Sequence, residues 1–394
     1  MVEVVDLGKF GDAFRTDPHP VYAHLRARGP VHRVRAPGRD AEGEMWLVVG
    51  YEEARAALAD QRLAKDAGRI GKTFLDVDLI GDYLLSTDPP QHTRLRSLVS
   101  RAFTMRRVER LRPRIQAITD ELLDTMIPLG RADLVESLAY PLPITVICEL
   151  LGIPEVDRAE FRRLSTETVA PTDPDSEYAA VSRLGEYLTE LIEAKRAAGP
   201  AEDLLSDLIR TTAEDGDRLS VAELRGMAYL LLIAGHETTV NLITNGVHAL
   251  LTHPDQLAAL RADMTLIDAA VEETLRYEGP VENATFRYAA EPLEIAGVPI
   301  AQDEPVLIGL TAADRDGDRF PAPDRFDIHR DTRGHIAFGH GIHFCLGAPL
   351  ARLEVTTALR GLLERAPHLA LDGPPGEWLP GMLIRGVRSL PVRW

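Results

Sequence analysis

The chain has 394 residues, 45% of them hydrophobic, with 44 Lys and Arg against 61 Asp and Glu, a formal net charge of −17. That acidity excludes general nucleic-acid binding, which depends on neutralising phosphates with cationic side chains. Two cysteines fit a reducing compartment and the opening MVEVVDLGKFGDAF carries no secretory pattern, so a soluble cytoplasmic protein is expected.

In chain order, short β signals come first, at 31–35 and 45–50, around a polar turn region. Amphipathic patterns then predict helices at 51–59, 91–101, 105–126, 143–151, 155–168, 177–197, 220–252, 254–260, 265–276 and 348–365, with 169–180 as a mobile loop. Strand signals return over 286–310 and in the closing LIRGVRSLPVRW. No repeat and no low-complexity linker divides the chain. Strands at both ends of a helical body predict one domain, 1–394, mainly α with a small β region. Its most apolar stretch, GMAYLLLIAGHETTVNLI, is interrupted by His236 and Glu237 and falls short of a membrane span.

That stretch lies in the long helix predicted at 220–252. Ser220 and Glu223 form an S-x-x-E capping box at its start. A rod of that length reaches about 50 Å, enough to cross the molecule. Gly235-His236-Glu237-Thr238-Thr239 interrupts an apolar run, so part of it should be buried. A threonine bonding back to the preceding turn can open the helix locally. An acid beside an alcohol there suits a small ligand and a proton relay; a polar seam between packed helices is the plain alternative.

Two further stretches carry charge with a pattern. Residues 91–110 hold six arginines and one glutamate. His92 and Arg96, four apart on one helix face, suit the clamping of a carboxylate. The other face is either solvated or a dock for an acidic partner. Glu273 and Arg276 are three apart on a helix that ends at Gly279-Pro280, and Arg287 opens the strand signal beyond.

The segment HIAFGHGIHFCLGAPLAR, 335–352, contains Cys345 just ahead of a predicted helix. Three readings stand at this point. A free cysteine can be a small buried hydrophobe. Zinc is a second option, with His335, His340 and His343 nearby but without paired ligand spacings. The third is a thiolate ligand to haem iron: a helix N-terminus favours the thiolate, and Gly339, Gly341 and Gly347 leave room for a flat macrocycle.

Together these segments resemble the cytochrome P450 family of haem-thiolate monooxygenases over nearly the whole chain. The haem-loop pattern F-G-x-G-x-H-x-C-x-G is met at Phe338, Gly339, Gly341, His343, Cys345 and Gly347. The oxygen-side pattern A-G-x-E-T-T is met at Ala234, Gly235, Glu237, Thr238 and Thr239, and E-x-x-R at Glu273 and Arg276. The resemblance implies Cys345 as axial ligand of haem b, with His92, Arg96, Arg287 and His335 holding the propionates. Arg325 would complete the structural network of Glu273 and Arg276. Thr238 would bond the oxygen co-substrate and Glu237 would help deliver protons. Electrons would come from NAD(P)H through a ferredoxin and its reductase, with 91–110 as the docking segment.

The resemblance is strongest to actinobacterial enzymes that hydroxylate or epoxidise macrolides and related polyketides. It places the substrate pocket at 70–85, 165–180, 227–238, 281–285 and 382–384. Phe74, Leu75, Asp76, Leu79, Ile233, Val281, Ala284, Met382 and Leu383 are its expected lining. Asp76, Asp78 and Asp82 would suit a substrate with a cationic amino sugar; the plain alternative is a solvated acidic loop.

Overall fold

The computed structural model describes residues 3–37, 43–70, 75–153, 158–169, 171, 173–199, 201–210 and 218–394. Its longest helix is Val221–Thr252. Ser220 Oγ accepts from the Glu223 N–H at 3.1 Å, and the Glu223 carboxylate accepts from the Ser220 N–H at 2.8 Å. This closes the capping box that the spacing predicts. Helices Pro141–Leu151, Pro174–Ala198, Ile267–Glu278 and Ala348–Arg365 pack along it. Met227, Leu232, Val240, Ile243 and Val247 are all buried on it, as befits a helix covered on every side. Gly235 permits a close crossing with Pro141–Leu151, since a Cβ there would stand 2.9 Å from Ile147 Cδ1. Thr238 Oγ1 donates to Ala234 O at 2.8 Å and Thr239 Oγ1 to Gly235 O at 3.5 Å. The helix nevertheless runs through unbroken, so the local opening expected there is not seen.

A six-stranded sheet flanks the helical body in the order Val4–Asp6, Val31–Arg35, Glu44–Val48, Pro305–Ile308, Arg287–Ala289, Leu63–Ala64. Trp46 pairs with Val306 in parallel register, and Arg287 pairs with Val306 from the other side. Val31, Trp46, Val48, Val306 and Ile308 form an apolar layer with Phe320 and Ile336. Arg131–Asp133, Ala370–Leu371 and Pro391–Arg393 make a second small sheet.

Several expectations shift. The helix Pro174–Ala198 begins inside the segment read as a loop, because Asp173 accepts the Ser176 N–H at 2.8 Å and Pro174 opens the first turn. Of the helix expected at 155–168, 155–157 lie outside the described residues and Arg158–Val169 is helical. Helices Gly11–Thr16, His19–Arg28, Leu204–Arg210 and Leu310–Asp314 escaped the pattern, three of them being too short for a full period. Among the described residues, no helix is long and apolar enough to cross a membrane.

Candidate active site

A cavity of about 1620 Å³ lies between the middle of the long helix and the cysteine loop. Ala234, Glu237 and Thr238 line one side, and Phe338, Gly339, His343, Cys345 and Gly347 the other. The loop is fixed by its backbone: Cys345 N–H donates to Phe338 O at 2.9 Å and Gly339 N–H to Ile336 O at 2.8 Å. Gly339 and Gly341 both have φ 75, which accounts for glycine at each. At Gly341 a Cβ would also meet Leu58 O at 3.1 Å, so this glycine makes way for protein backbone and not for a macrocycle.

Cys345 is partly exposed to this cavity, whereas Cys148 is wholly buried core. Among the described residues, no three His, Cys, Asp or Glu side chains are placed to share a metal ion, which removes the basis of the zinc reading. Burial pushes the Cys345 thiol up, against the N–H groups of Gly347 and Ala348 and the cations Arg96 and Arg352. The helix start therefore favours the thiolate without securing it, and ionisation calls for a positive partner on the cavity side.

Beside the loop, cationic and donor groups converge, with no ion pair to any of them among the described residues. Arg96, Arg287, Lys65 and His343 line the cavity, and the His92 ring stands 4.4 Å from that of His343. His92 Nε2, Arg287 Nε and both ring nitrogens of His343 are buried without a partner among the described residues. Burial, with Arg287, Lys65, His92 and Arg96, holds His343 uncharged, down to about 2. Burial also lowers Arg287 to about 10, against the charges of Asp88 and Asp60. Lys65 Nζ donates to Phe286 O at 2.9 Å and Thr285 O at 3.1 Å. Such a cluster fits a ligand bearing carboxylates, and beside a cysteine sulfur in a wide apolar cavity it fits haem. His335 does not join it. Its Nε2 lies 3.0 Å from Glu272 Oε2, a carboxylate also held by Arg352, and it does not line the cavity.

On the opposite wall, Glu237 Oε1 accepts from Ser165 Oγ at 3.0 Å and lies 3.2 Å from His236 Nε2. Burial alone would raise this carboxyl, but His236, Ser165 and Arg162 outweigh it and hold it below its ordinary value. The acid is thus charged and turned toward helix Arg158–Val169, one residue from the Thr238 hydroxyl.

Glu273 and Arg276 form a fully buried bidentate pair at 2.7 and 2.8 Å. The third member is Arg330, whose Nε donates to Glu273 Oε1 at 3.3 Å. Arg325 offers only its carbonyl, while its side chain is 65% exposed. The expected substrate wall is present at Ile233, Val281, Ala284, Met382 and Leu383, all lining the cavity. Leu79 packs into the helical core instead. Phe74 lies outside the described residues, as do the side chains of Leu75, Asp76 and Asp78. Asp82 is exposed and lies off the cavity lining. Lys65, Arg330, Ser165 and His236 were not singled out as site residues. Of these, His236 lies inside the oxygen-side motif and Ser165 opens the expected pocket stretch 165–180.

A cytochrome P450 family model matches residues 169–366, just over half of the chain. The chain is 59% identical to "Cytochrome P450 monooxygenase PikC" of Streptomyces venezuelae, across 99% of this chain and 94% of that protein. It is 46% identical to 6-deoxyerythronolide B hydroxylase of Saccharopolyspora erythraea, across 100% and 99%. The structure of tirandamycin C-bound P450 monooxygenase TamI superposes with a TM-score of 0.89 at 44% identity, covering 99% of both chains. The chain belongs to the cytochrome P450 family. It is a haem-dependent monooxygenase, using haem b and dioxygen with electrons that originate in NAD(P)H.

Proposed function

We propose that this enzyme oxygenates a macrolide or related polyketide, and that Cys345 would hold its haem through sulfur. The observation that carries the reading is the cavity: about 1620 Å³, well above the roughly 300–1,000 Å³ of an ordinary ligand pocket. It has room for a flat cofactor over Cys345 and a bulky substrate against Ile233, Val281, Ala284, Met382 and Leu383. The hydroxylase and the tirandamycin-bound enzyme among its relatives support that substrate class.

Bound haem supplies the reduction and cleavage of dioxygen, which a thiolate ligand promotes. The chain supplies the rest. His92, Arg96, Arg287 and His343 would hold the propionates, and Arg96 donates to Phe344 O at 2.8 Å. Thr238 presents a hydroxyl to the cavity from a helix position fixed by its bond to Ala234 O. Glu237, once its carboxylate leaves Ser165, exchanges protons with that hydroxyl through water. A ferredoxin docks on the Cys345 side. Arg94 and Arg107 of the basic segment are committed to Glu223 and Asp207, while Arg101, Arg106 and Arg110 are exposed, as are Ile342 and Phe344 in the cysteine loop.

The test is spin-state titration of the ferric enzyme with macrolides, macrolactones, steroids and terpenoids, followed by turnover with ferredoxin, reductase and NADPH. Tight binding and a singly oxygenated product from a macrocycle are expected. Productive turnover of a steroid or terpenoid alone overturns the substrate class.

A further inference from the structure

Val281, Glu282, Ala284, Met382 and Leu383 line the cavity, and part of what fixes them lies behind it. Glu282 N–H donates to Leu383 O at 2.8 Å, and Arg385 N–H to Pro280 O at 2.9 Å. Asn283 Nδ2 donates to Met382 O at 2.6 Å. The two stretches are therefore one unit of wall. The Tyr22 hydroxyl, from helix His19–Arg28, donates to Glu282 Oε1, and Asn283 Nδ2 stands 3.4 Å from the same hydroxyl. Arg385 adds a second tie to the N-terminal region: it donates to Arg15 O at 2.7 Å and Thr16 O at 2.6 Å, and to Glu278 Oε1 at 2.7 Å. Tyr22 is 1% exposed and Glu282 5%. No residue from 16 to 28 lines the cavity.

We propose that Tyr22 and Glu282 are positioning residues for substrate: they staple helix His19–Arg28, which does not line the cavity, to the wall at 280–285 and 382–385, so that a contact behind the wall sets the pocket's shape. The staple also senses protons. Glu282 is faced by Tyr22 from the helix, by Glu278 from the end of Ile267–Glu278 and by Arg385 from the C-terminal stretch, with His19 and Arg315 behind Glu278. Burial pushes the Glu282 carboxyl up to about 7, and Glu278 adds to this against Tyr22 and Arg385. The neutral acid leaves Arg385 to Glu278. Ionised, Glu282 is a desolvated carboxylate beside the charge of Glu278, a cost that the Tyr22 hydroxyl and Arg385 only partly offset, so the wall is tighter below neutral pH than above it.

The experiment needs no knowledge of the substrate. The ferric holoenzyme is titrated with imidazole, which needs little beyond the iron, and with clotrimazole, which must also fit the wall. Tyr22→Phe is expected to weaken clotrimazole about fivefold, the loss of one buried hydrogen bond, and to leave imidazole within about twofold. The ratio of wild-type to Glu282→Gln affinity for clotrimazole, in which the probe's own titration cancels, is expected to fall about threefold from about pH 6 to about pH 8. Glu282→Gln keeps an acceptor for Tyr22, so this arm stands whatever Tyr22→Phe does to stability. An unchanged clotrimazole-to-imidazole ratio in Tyr22→Phe, even with a lower melting point, overturns the positioning role, as does equal weakening of both probes. A flat pH ratio overturns the proton dependence.

Discussion

Replacing Arg330 by methionine tests the buried network that holds the stretch ahead of the cysteine loop. The Arg330 side chain is 10% exposed. It donates to Glu273 Oε1 at 3.3 Å, to Ala322 O at 2.9 Å, to Arg325 O at 3.1 Å and to Pro321 O. A hydrogen bond to a charged group is worth about 1.5–3 kcal/mol and one to a neutral carbonyl about 0.5–1.5 kcal/mol. Glu273 keeps Arg276, and methionine keeps the packing of the stem, so the lower values apply and the loss is about 3 kcal/mol. For 394 residues the unfolding entropy is about 0.8 kcal/mol/K, which turns this loss into a fall of about 4 °C in the melting point. Arg325→Ala is the matched control. Its exposed side chain contributes nothing to the network, so its melting point moves by less than about 1 °C. Circular-dichroism melting of both holoenzymes reads the difference. If Arg325→Ala falls as far as Arg330→Met, the assignment of Arg330 is refuted.

Arg287→Leu removes a buried cation whose Nε has no partner among the described residues, so the haem-free protein should melt higher while haem transfer to apomyoglobin speeds up about tenfold. Slower transfer contradicts the cradle. Thr238→Ala should lower product formed per NAD(P)H about 10²-fold with substrate affinity unchanged, because the hydroxyl serves proton movement and not binding; quantified product and oxidised cofactor decide this. Glu272 is held down to about 2: His335 and Arg352 outweigh the burial that alone would raise it from its ordinary 4.5. A depressed carboxyl stabilises the fold fully above that ordinary value and loses its contribution as pH falls toward about 2. Glu272→Gln should therefore flatten the stability profile across that acid window, as read by denaturant titration at each pH.

What could be read beforehand was local. The capping box at Ser220 and Glu223 is a three-residue relation, and a helix start realises it wherever it occurs. The cysteine loop carries its glycines at turns that need positive φ, so its outline survives in one dimension. Choosing among its histidines was another matter. His335 and His343 are alike in spacing arguments, but the turns at Gly339 and Gly341 aim one inward and leave the other against Glu272. Arg325 and Arg330 differ in the same way, by which side chain points under the helix. Lys65 gave no signal at all, because its partners Thr285 and Phe286 follow it by 220 residues or more. Tyr22 and Glu282 are 260 apart.

The strand order has a consequence for how the protein is made. Val31–Arg35 and Glu44–Val48 leave the ribosome early, but the neighbour that Glu44–Val48 needs, Pro305–Ile308, is among the last parts translated. At about 5–20 residues per second, the first hairpin waits many seconds with an open edge. The walls of the cavity wait with it, since Lys65 and Arg96 come long before Arg287, His343 and Cys345. Haem therefore enters a chain that is already nearly complete. Shortage of the cofactor in a producing cell then yields released polypeptide with the apolar lining of the cavity uncovered, and part of such material should collect as aggregate.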